Sequence, residues 1–229
     1  KKAEDYLYNY LFKEIDMLFS FLKENNITLN VKEIYFGGGS PTFYKEKEFK
    51  ALIDKLKTCY NFDNVIDFTV EIDPRRVDES KLLFYHECGV NRLSFGVQDF
   101  DLEVQKRINR IQSEELFDSL LTDKVREKFK VINFDLLIGL PGQTSTSMSK
   151  TLDKVIKIKP TQIQPMLLHY DPFKRKYMIN MLKDGPLPDF YDRQEMYGVV
   201  KEKLMNDGGY KKAGFESYAL PDDPLIKAM

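Results

Sequence analysis

Val31-Lys32-Glu33-Ile34-Tyr35-Phe36-Gly37-Gly38-Gly39-Ser40-Pro41 runs a short β-type segment straight into three glycines and a proline. The glycines end the strand, and bare backbone there gives a ligand close access to N–H and C=O groups. The run lacks the spacing of a P-loop and of a dinucleotide fingerprint. A carbonyl-lined edge would suit an ammonium group and free N–H groups a carboxylate; the alternative is a tight strand-to-helix turn. Gly37, Gly38 and Gly39 are therefore candidate binding residues.

The pattern repeats on both sides of this stretch. A helix is expected from about Ala3 to Glu24, with Leu7, Leu11, Ile15, Leu18 and Leu22 at helical spacing. After Pro41 a second helix carries Phe49, Leu52, Ile53, Leu56 and Cys59 on one face. Strands are expected at Val65 to Ile72, Arg92 to Val97, Val131 to Ile138 and Gln162 to Leu168. Asp78 is placed to cap one intervening helix and Gly89 to end it in the left-handed region. A polar helical region fills roughly Leu102 to Lys128, and Met148, Leu152, Val155 and Ile156 mark another helix. Strand and helix alternate five times, with a repeat of roughly 25–40 residues, the size of βαβ units. The short β-branched strands suit a parallel sheet covered by helices, an open doubly wound sheet or a closed or partly closed barrel. Either architecture places its site at the carboxyl ends of the strands.

After Leu168 the rhythm changes. Asp171-Pro172 opens a Lys-rich helical piece, and Asp189 caps a helix reaching about Asn206. Gly208-Gly209 stops that helix, and a short strand spans Tyr210 to Leu220. Two units are expected: residues 1–168 as a barrel and 169–229 as an extension of helices and a short strand.

The chain has 229 residues, with 35 Lys+Arg against 36 Asp+Glu for a net charge of −1. Balanced charge argues against a bulk nucleic-acid binder, which needs excess cations to displace counterions. No apolar run reaches the ~18 residues of a membrane helix. The two cysteines, Cys59 and Cys88, are too few for a disulfide scaffold and too far apart for a CxxC site. A reducing, cytoplasmic setting is expected. The chain opens with Lys1-Lys2 inside a helical pattern, so its natural start is expected upstream.

Polar residues interrupt the strands where they end. Glu71 breaks Phe68-Thr69-Val70-Glu71-Ile72, and a carboxylate there must be paired, face a cavity, or point to solvent by simple alternation. Gln98 closes Leu93 to Val97 with a neutral donor and acceptor able to hold a hydroxyl pair, while Asp99 or Asp101 reads as the cap of the next helix. Asp135 sits within Ile132 to Ile138, where it needs hydrogen-bond partners; a ribose diol is one, a structural bond to a neighbouring strand another. Arg110 could meet a carboxylate bidentately, although its cluster alone reads as surface charge. His86 and His169 are too sparse for a metal site, and no metal ligands are assigned within the chain.

Taken together, these residues resemble a known family. Tyr35 to Thr42 is similar to the GGGTP motif of radical S-adenosylmethionine enzymes. Glu71 to Arg75, Asn91 to Phe100, Val104-Gln105, Asn109-Arg110 and Asn133 to Thr144 resemble the oxygen-independent coproporphyrinogen III oxidase group in order and spacing. The resemblance runs nearly continuously from Tyr6 to Pro160 and resumes at Gly209-Tyr210 and Ala219 to Asp223. It implies an α/β fold, a partial (β/α)6 barrel, holding S-adenosylmethionine against a [4Fe–4S] cluster. It implies that Gly37, Gly38 and Gly39 bind the methionine amino group, Glu71 and Arg110 the amino and carboxylate ends, and Gln98 and Asp135 the ribose hydroxyls. It further implies a tetrapyrrole substrate, most literally coproporphyrinogen III decarboxylated at two propionates, and a reducing electron-donor protein. Methyl transfer, haem ring opening and haem chaperoning are the rival outcomes among similar proteins. The chain departs from the family twice. The CxxxCxxC cluster loop is absent, and its ligands are expected upstream of Lys1. From Met166 to Pro172, and at Glu216-Ser217-Tyr218, the substrate end reads differently.

Overall fold

A computed structural model describes residues 2–183 and 185–229. Its seven-stranded sheet runs, in order across it, Glu33–Phe36, Asp67–Ile72, Arg92–Gln98, Val131–Ile138, Gln162–Leu167, Ser217–Ala219 and Lys211–Ala213. The first five strands are β1 (Glu33–Phe36), β2 (Asp67–Ile72), β3 (Arg92–Gln98), β4 (Val131–Ile138) and β5 (Gln162–Leu167). They pair in parallel, each with the next in sequence. The single strand expected at Tyr210 to Leu220 is instead a hairpin, β6 (Lys211–Ala213) and β7 (Ser217–Ala219). Gly214 turns it at φ +72°, and β7 runs antiparallel to β5. The sixth place beside the five parallel strands is thus taken by an antiparallel strand.

The first helix is continuous in path, with Lys2–Tyr6 and Phe12–Glu24 separated by a π-helical stretch, Leu7–Leu11. The crossover helices are Glu46–Cys59, Glu79–Glu87, Glu114–Leu120 and Ser145–Ile158, with Phe190–Glu202 following β5. The polar region expected over Leu102 to Lys128 is three short helices, Leu102–Arg107, Glu114–Leu120 and Asp123–Lys128. The expected punctuation holds: Asp78 accepts from the Lys81 amide at 2.8 Å, and Gly89 adopts φ +106°. Asp189 caps its helix by accepting from the Asp192 amide at 2.9 Å.

Strand parity decides between the two candidate architectures. Phe68, Val70 and Ile72 of β2, Leu93, Phe95 and Val97 of β3, Phe134 and Leu136 of β4, and Ile163 of β5 share one core. Phe49 and Ile53, Leu82 and Tyr85, Phe117 and Leu120, Met148 and Leu152, and Met196 and Val200 fill it from five helices. All five therefore pack on one face of the sheet, as in a barrel wall, and not on both faces as in a doubly wound sheet. Successive strand residues point to opposite faces, so the remaining positions line the other side. Those positions are polar: Thr69 and Glu71, Arg92 and Ser94, Asn133 and Asp135, Gln162 and Gln164. At the amino-terminal end of the strands they satisfy one another. Arg92 donates to Gln162 Oε1 at 2.6 Å, and Gln162 Nε2 donates to Asp223 at 2.7 Å. At the carboxyl end they open onto a cavity.

Phe134 is fully buried between Phe95 and Phe117, with ring centroids 6.0 and 4.9 Å away. Phe134→Ala is expected to cost about 3–5 kcal/mol of folding stability. A urea melt checks this, and a loss below about 1 kcal/mol would mean that the core is not packed on this face as described.

Candidate active site

The cavity holds about 640 Å3 and lies at the carboxyl ends of the parallel strands. Gly38, Gly39, Glu71, Gln98, Arg110 and Asp135 all line it. Six of the seven site residues expected from sequence thus meet at one place. Gly37 is not part of that lining. A Cβ on Gly37 would lie 2.8 Å from Glu71 Oε1 and closer still to the Tyr35 ring, so only glycine leaves this carboxylate in place. Glu71 accepts from the Tyr35 hydroxyl at 2.5 Å and from the Gly38 amide at 3.1 Å. Burial comes first and the Glu71 hydrogen bond second in pushing the Tyr35 hydroxyl above its ordinary pKa, so Tyr35 stays protonated as the donor.

Asp135 accepts from Ser94 Oγ at 2.9 Å and from Asn133 Nδ2 at 2.7 Å. Asn133 Nδ2 also donates to Ser94 Oγ at 2.8 Å, which closes a three-residue ring beside the cavity. Of the two partners open in the sequence, the structural bond to a neighbouring strand is the one observed, and the residue also lines the cavity. Burial raises its pKa against the opposing pull of the Ser94 and Asn133 hydrogen bonds.

Gln98 takes a left-handed backbone, φ +67°, at a register shift between Gly96 and Gln98 in the β3–β4 pairing. A non-glycine residue in this region stores strain of order 1 kcal/mol, which the surrounding structure must hold. Its Oε1 is buried without a hydrogen-bond partner. An unpaired buried acceptor beside a cavity points to a donor on a ligand.

Arg110 donates through Nη2 to the Gly96 carbonyl at 2.6 Å and stands 3.6 Å from Asp73 Oδ1. Burial lowers its pKa, and Asp73 pulls it back up. Asp73 is the anchor of this corner. Arg75 donates to it from Nε and Nη2, both at 2.9 Å, and Arg76 lies 3.4 Å away. Burial alone would raise the Asp73 pKa, but the Arg75 bonds and Arg110 outweigh it and hold the carboxyl below its usual range. The loop bearing Arg110 is staked by two buried glutamines. Gln105 Nε2 donates to Asp99 O at 2.8 Å and to Gln112 O at 2.7 Å, while Gln112 Nε2 donates to Val97 O.

Sequence reasoning missed Asp73, Ser94, Gly96, Met166 and Arg175, all in the cavity wall. Gly96 had a readable signal, a glycine inside a strand, and its reason is that a Cβ there would come within 3.1 Å of Arg110 and Gln98. Asp101 caps its helix as expected, accepting from the Glu103 and Val104 amides at 2.9 and 3.1 Å. Asp99 does not cap that helix. It is fully buried and accepts from Gln143 Nε2 at 2.6 Å and Thr151 Oγ1 at 2.5 Å, which ties the loop after β4 to β3. His169 is exposed and outside the cavity wall. Among the described residues no three His, Cys, Asp or Glu side chains converge as metal ligands, and Cys59 and Cys88 are both free thiols.

A one-sided α/β wall with a polar cavity at its strand ends defines a barrel-type enzyme scaffold. Residues 4–155 match the Radical SAM superfamily, and the chain belongs to it. Membership of that superfamily implies S-adenosylmethionine and a [4Fe–4S] cluster as cofactors. The oxygen-independent coproporphyrinogen III oxidase of Pseudomonas aeruginosa is 35% identical over 221 residues, spanning 95% of this chain and 47% of that protein. That of Escherichia coli strain K12 is 32% identical over 205 residues, spanning 87% and 43%. The solved Escherichia coli coproporphyrinogen III oxidase, a radical SAM enzyme, superposes with a TM-score of 0.87 at 30% identity. That superposition covers 100% of this chain and 52% of the solved one. The chain therefore spans about half the length of these relatives. An archaeal Elp3 from Methanocaldococcus infernus, covering 83% of this chain and 49% of its own with a TM-score of 0.61 at 14% identity, shares the fold alone.

The raised pKa of Asp135 has a consequence for stability. Its folded pKa exceeds its unfolded one, so the favourable protonated state is present below the ordinary carboxylate range and is lost as pH rises through the folded value. Asp135→Ala is expected to flatten the fall in stability between about pH 4 and neutrality. Urea melts across that range check this, and an unchanged slope would mean that burial does not outweigh the Ser94 and Asn133 hydrogen bonds at Asp135.

Proposed function

We propose that this chain forms the S-adenosylmethionine-binding portion of an oxygen-independent coproporphyrinogen III oxidase, an oxidoreductase that decarboxylates two propionates to vinyls in haem biosynthesis. The observation that carries the reading is the meeting of Glu71, Gln98, Arg110 and Asp135 in one cavity beside Gly38 and Gly39. Their chemistry fits the cofactor group by group. The Glu71 carboxylate and the glycine backbone accept from an ammonium. The Arg110 guanidinium donates to a carboxylate. The unpaired Gln98 Oε1 and the Asp135 carboxylate accept from the two hydroxyls of a ribose. Asp73 is taken up by its arginines, and the Glu71 and Asp135 carboxylates in the same lining suit a sulfonium cation.

When bound and reduced, the cofactor pair supplies hydrogen-atom abstraction. This chain's residues orient the nucleoside and methionine ends and bury them at the strand ends, away from bulk water. The free thiols, the convergence of none of them with other metal ligands and the shared motifs leave the [4Fe–4S] ligands outside the described residues; the described side chains do not by themselves fit a cluster. The tetrapyrrole substrate, a protein electron donor and a reducing cytoplasmic setting follow the coproporphyrinogen oxidase relatives and belong to the same proposal.

Asp135→Ala is expected to weaken S-adenosylmethionine binding about ten- to a hundredfold, from loss of one charged hydrogen bond. Calorimetry on the folded variant reads this directly, and unchanged affinity would remove the ribose assignment. The reaction is read in the full-length protein, assayed anaerobically with coproporphyrinogen III and a reductant. Release of CO2 with 5′-deoxyadenosine supports decarboxylation. S-adenosylhomocysteine would indicate methyl transfer instead, and tight haem binding without turnover would indicate a chaperone.

A further inference from the structure

We infer that the segment Asp171–Lys176, which leaves the end of β5, is a substrate strap that reads the carboxylates at the rim of a planar tetrapyrrole. This rests on the tetrapyrrole reading above and names the residues that would make the selection. Arg175 lines the cavity together with Gly38 and Gly39, from a different loop. The other cavity guanidinium, Arg110, is committed to the Gly96 carbonyl and Asp73. Arg75 and Arg92, the neighbouring guanidiniums, are committed to Asp73 and to Asp67 and Gln162. Among the described residues Arg175 has no carboxylate within the 4.0 Å of an ion pair. It is the cavity's cation with its charge still to be answered.

The strap is built, not loose. Lys174 N donates to Asp171 Oδ1 at 3.1 Å, and Arg175 N donates to Asp171 O at 2.9 Å, which winds the chain into one turn. Met178 N donates to Arg175 O at 2.8 Å, and the Met178 side chain is buried beneath. Asp171 N lies 3.4 Å from Met178 Sδ, so the turn closes over a fixed point. From this turn Phe173 projects at 94% exposure, flanked by Lys174 with its side chain 86% exposed and by exposed Lys176.

An exposed aromatic face set among cations complements a flat apolar macrocycle edged with carboxylates. The ring covers apolar surface, while Arg175, bidentately, and Lys176 answer the acids; Lys174 is already paired with Asp171 at 3.8 Å. The strap also starts where the coproporphyrinogen oxidase motifs lapse, in Met166 to Pro172, so no cofactor residue accounts for it. A carboxylate at this place has two sources, the methionine end of the cofactor and the substrate's propionates, and the distinction is experimental.

The test uses the full-length protein and coproporphyrin III, the stable oxidised form with four carboxylates, followed by fluorescence quenching. Arg175→Gln is expected to weaken coproporphyrin III binding about tenfold or more, with S-adenosylmethionine affinity by calorimetry held within about twofold. Mesoporphyrin IX, with two carboxylates, is expected to lose less. Phe173→Ser weakens both porphyrins alike. Equal coproporphyrin affinity in wild type and Arg175→Gln overturns the strap while leaving the functional proposal standing. An equal loss of S-adenosylmethionine affinity also overturns it, because Arg175 then holds the cofactor's carboxylate. If the wild-type protein binds no porphyrin, the tetrapyrrole reading falls and the strap falls with it.

Discussion

The alternation of side chains along the parallel strands is the constraint on which the rest of the molecule depends. One parity must be apolar, because five helices return over the same face and need a common core. The other parity is then free to be polar, provided that its groups satisfy one another or a ligand. At the amino-terminal end they do so internally, through Arg92, Asp67, Gln162 and Asp223. At the carboxyl end the strands diverge into loops, and the same parity delivers Glu71, Gly96 and Asp135 to open space. The site is thus the unsatisfied end of a polar layer that the fold otherwise closes.

Holding that end in shape falls to a second group of buried polar contacts. Asp73 gathers Arg75, Arg76 and Arg110 around one carboxylate. Gln105 and Gln112 pin the loop on which Arg110 rides, and Gln143 ties the loop after β4 to Asp99. Each such group would be costly if left unpaired, so the network has few alternative arrangements. The strain in Gln98 is tolerable for the same reason, since β3 is held by β2 as far as Phe95 and by β4 as far as Gln98 itself.

Much of this was legible in the chain, and what was not has physical reasons. Strands β2 to β5 were readable because their apolar runs are short, β-branched and bounded by Gly, Asp or Pro. Val131–Ile138 matches the observed strand end for end. Glu71, Gln98 and Asp135 stood out as polar residues that an apolar strand must justify. The hairpin β6–β7 was read as one strand because Gly214 interrupts a run whose flanks are both β-type. Of the two aspartates that could cap the next helix, Asp101 does so; Asp99 is held by side chains 44 and 52 positions away, which local pattern cannot show. Asp73 was hidden by its proline neighbour, and Arg175 by a Lys-rich surround that reads as solvated surface.

The division between what motifs identified and what only the structure located follows from the chemistry of the two ligands. A cofactor of fixed shape needs fixed donors, and these sit on or next to strand ends, where backbone position is set by the sheet. Their spacing is therefore tied to the βα repeat and can be matched along the chain. A substrate reaches the cavity from its open side and is met by connecting segments that the sheet does not position. Asp171–Lys176 is such a segment: it follows β5, makes its own turn on Asp171 and Met178, and carries no strand register. The family resemblance weakens at the point where the scaffold stops dictating geometry. Specificity in this chain is accordingly to be sought in the loops beyond β5, and not among the strand-end residues proposed to hold the nucleoside and methionine groups.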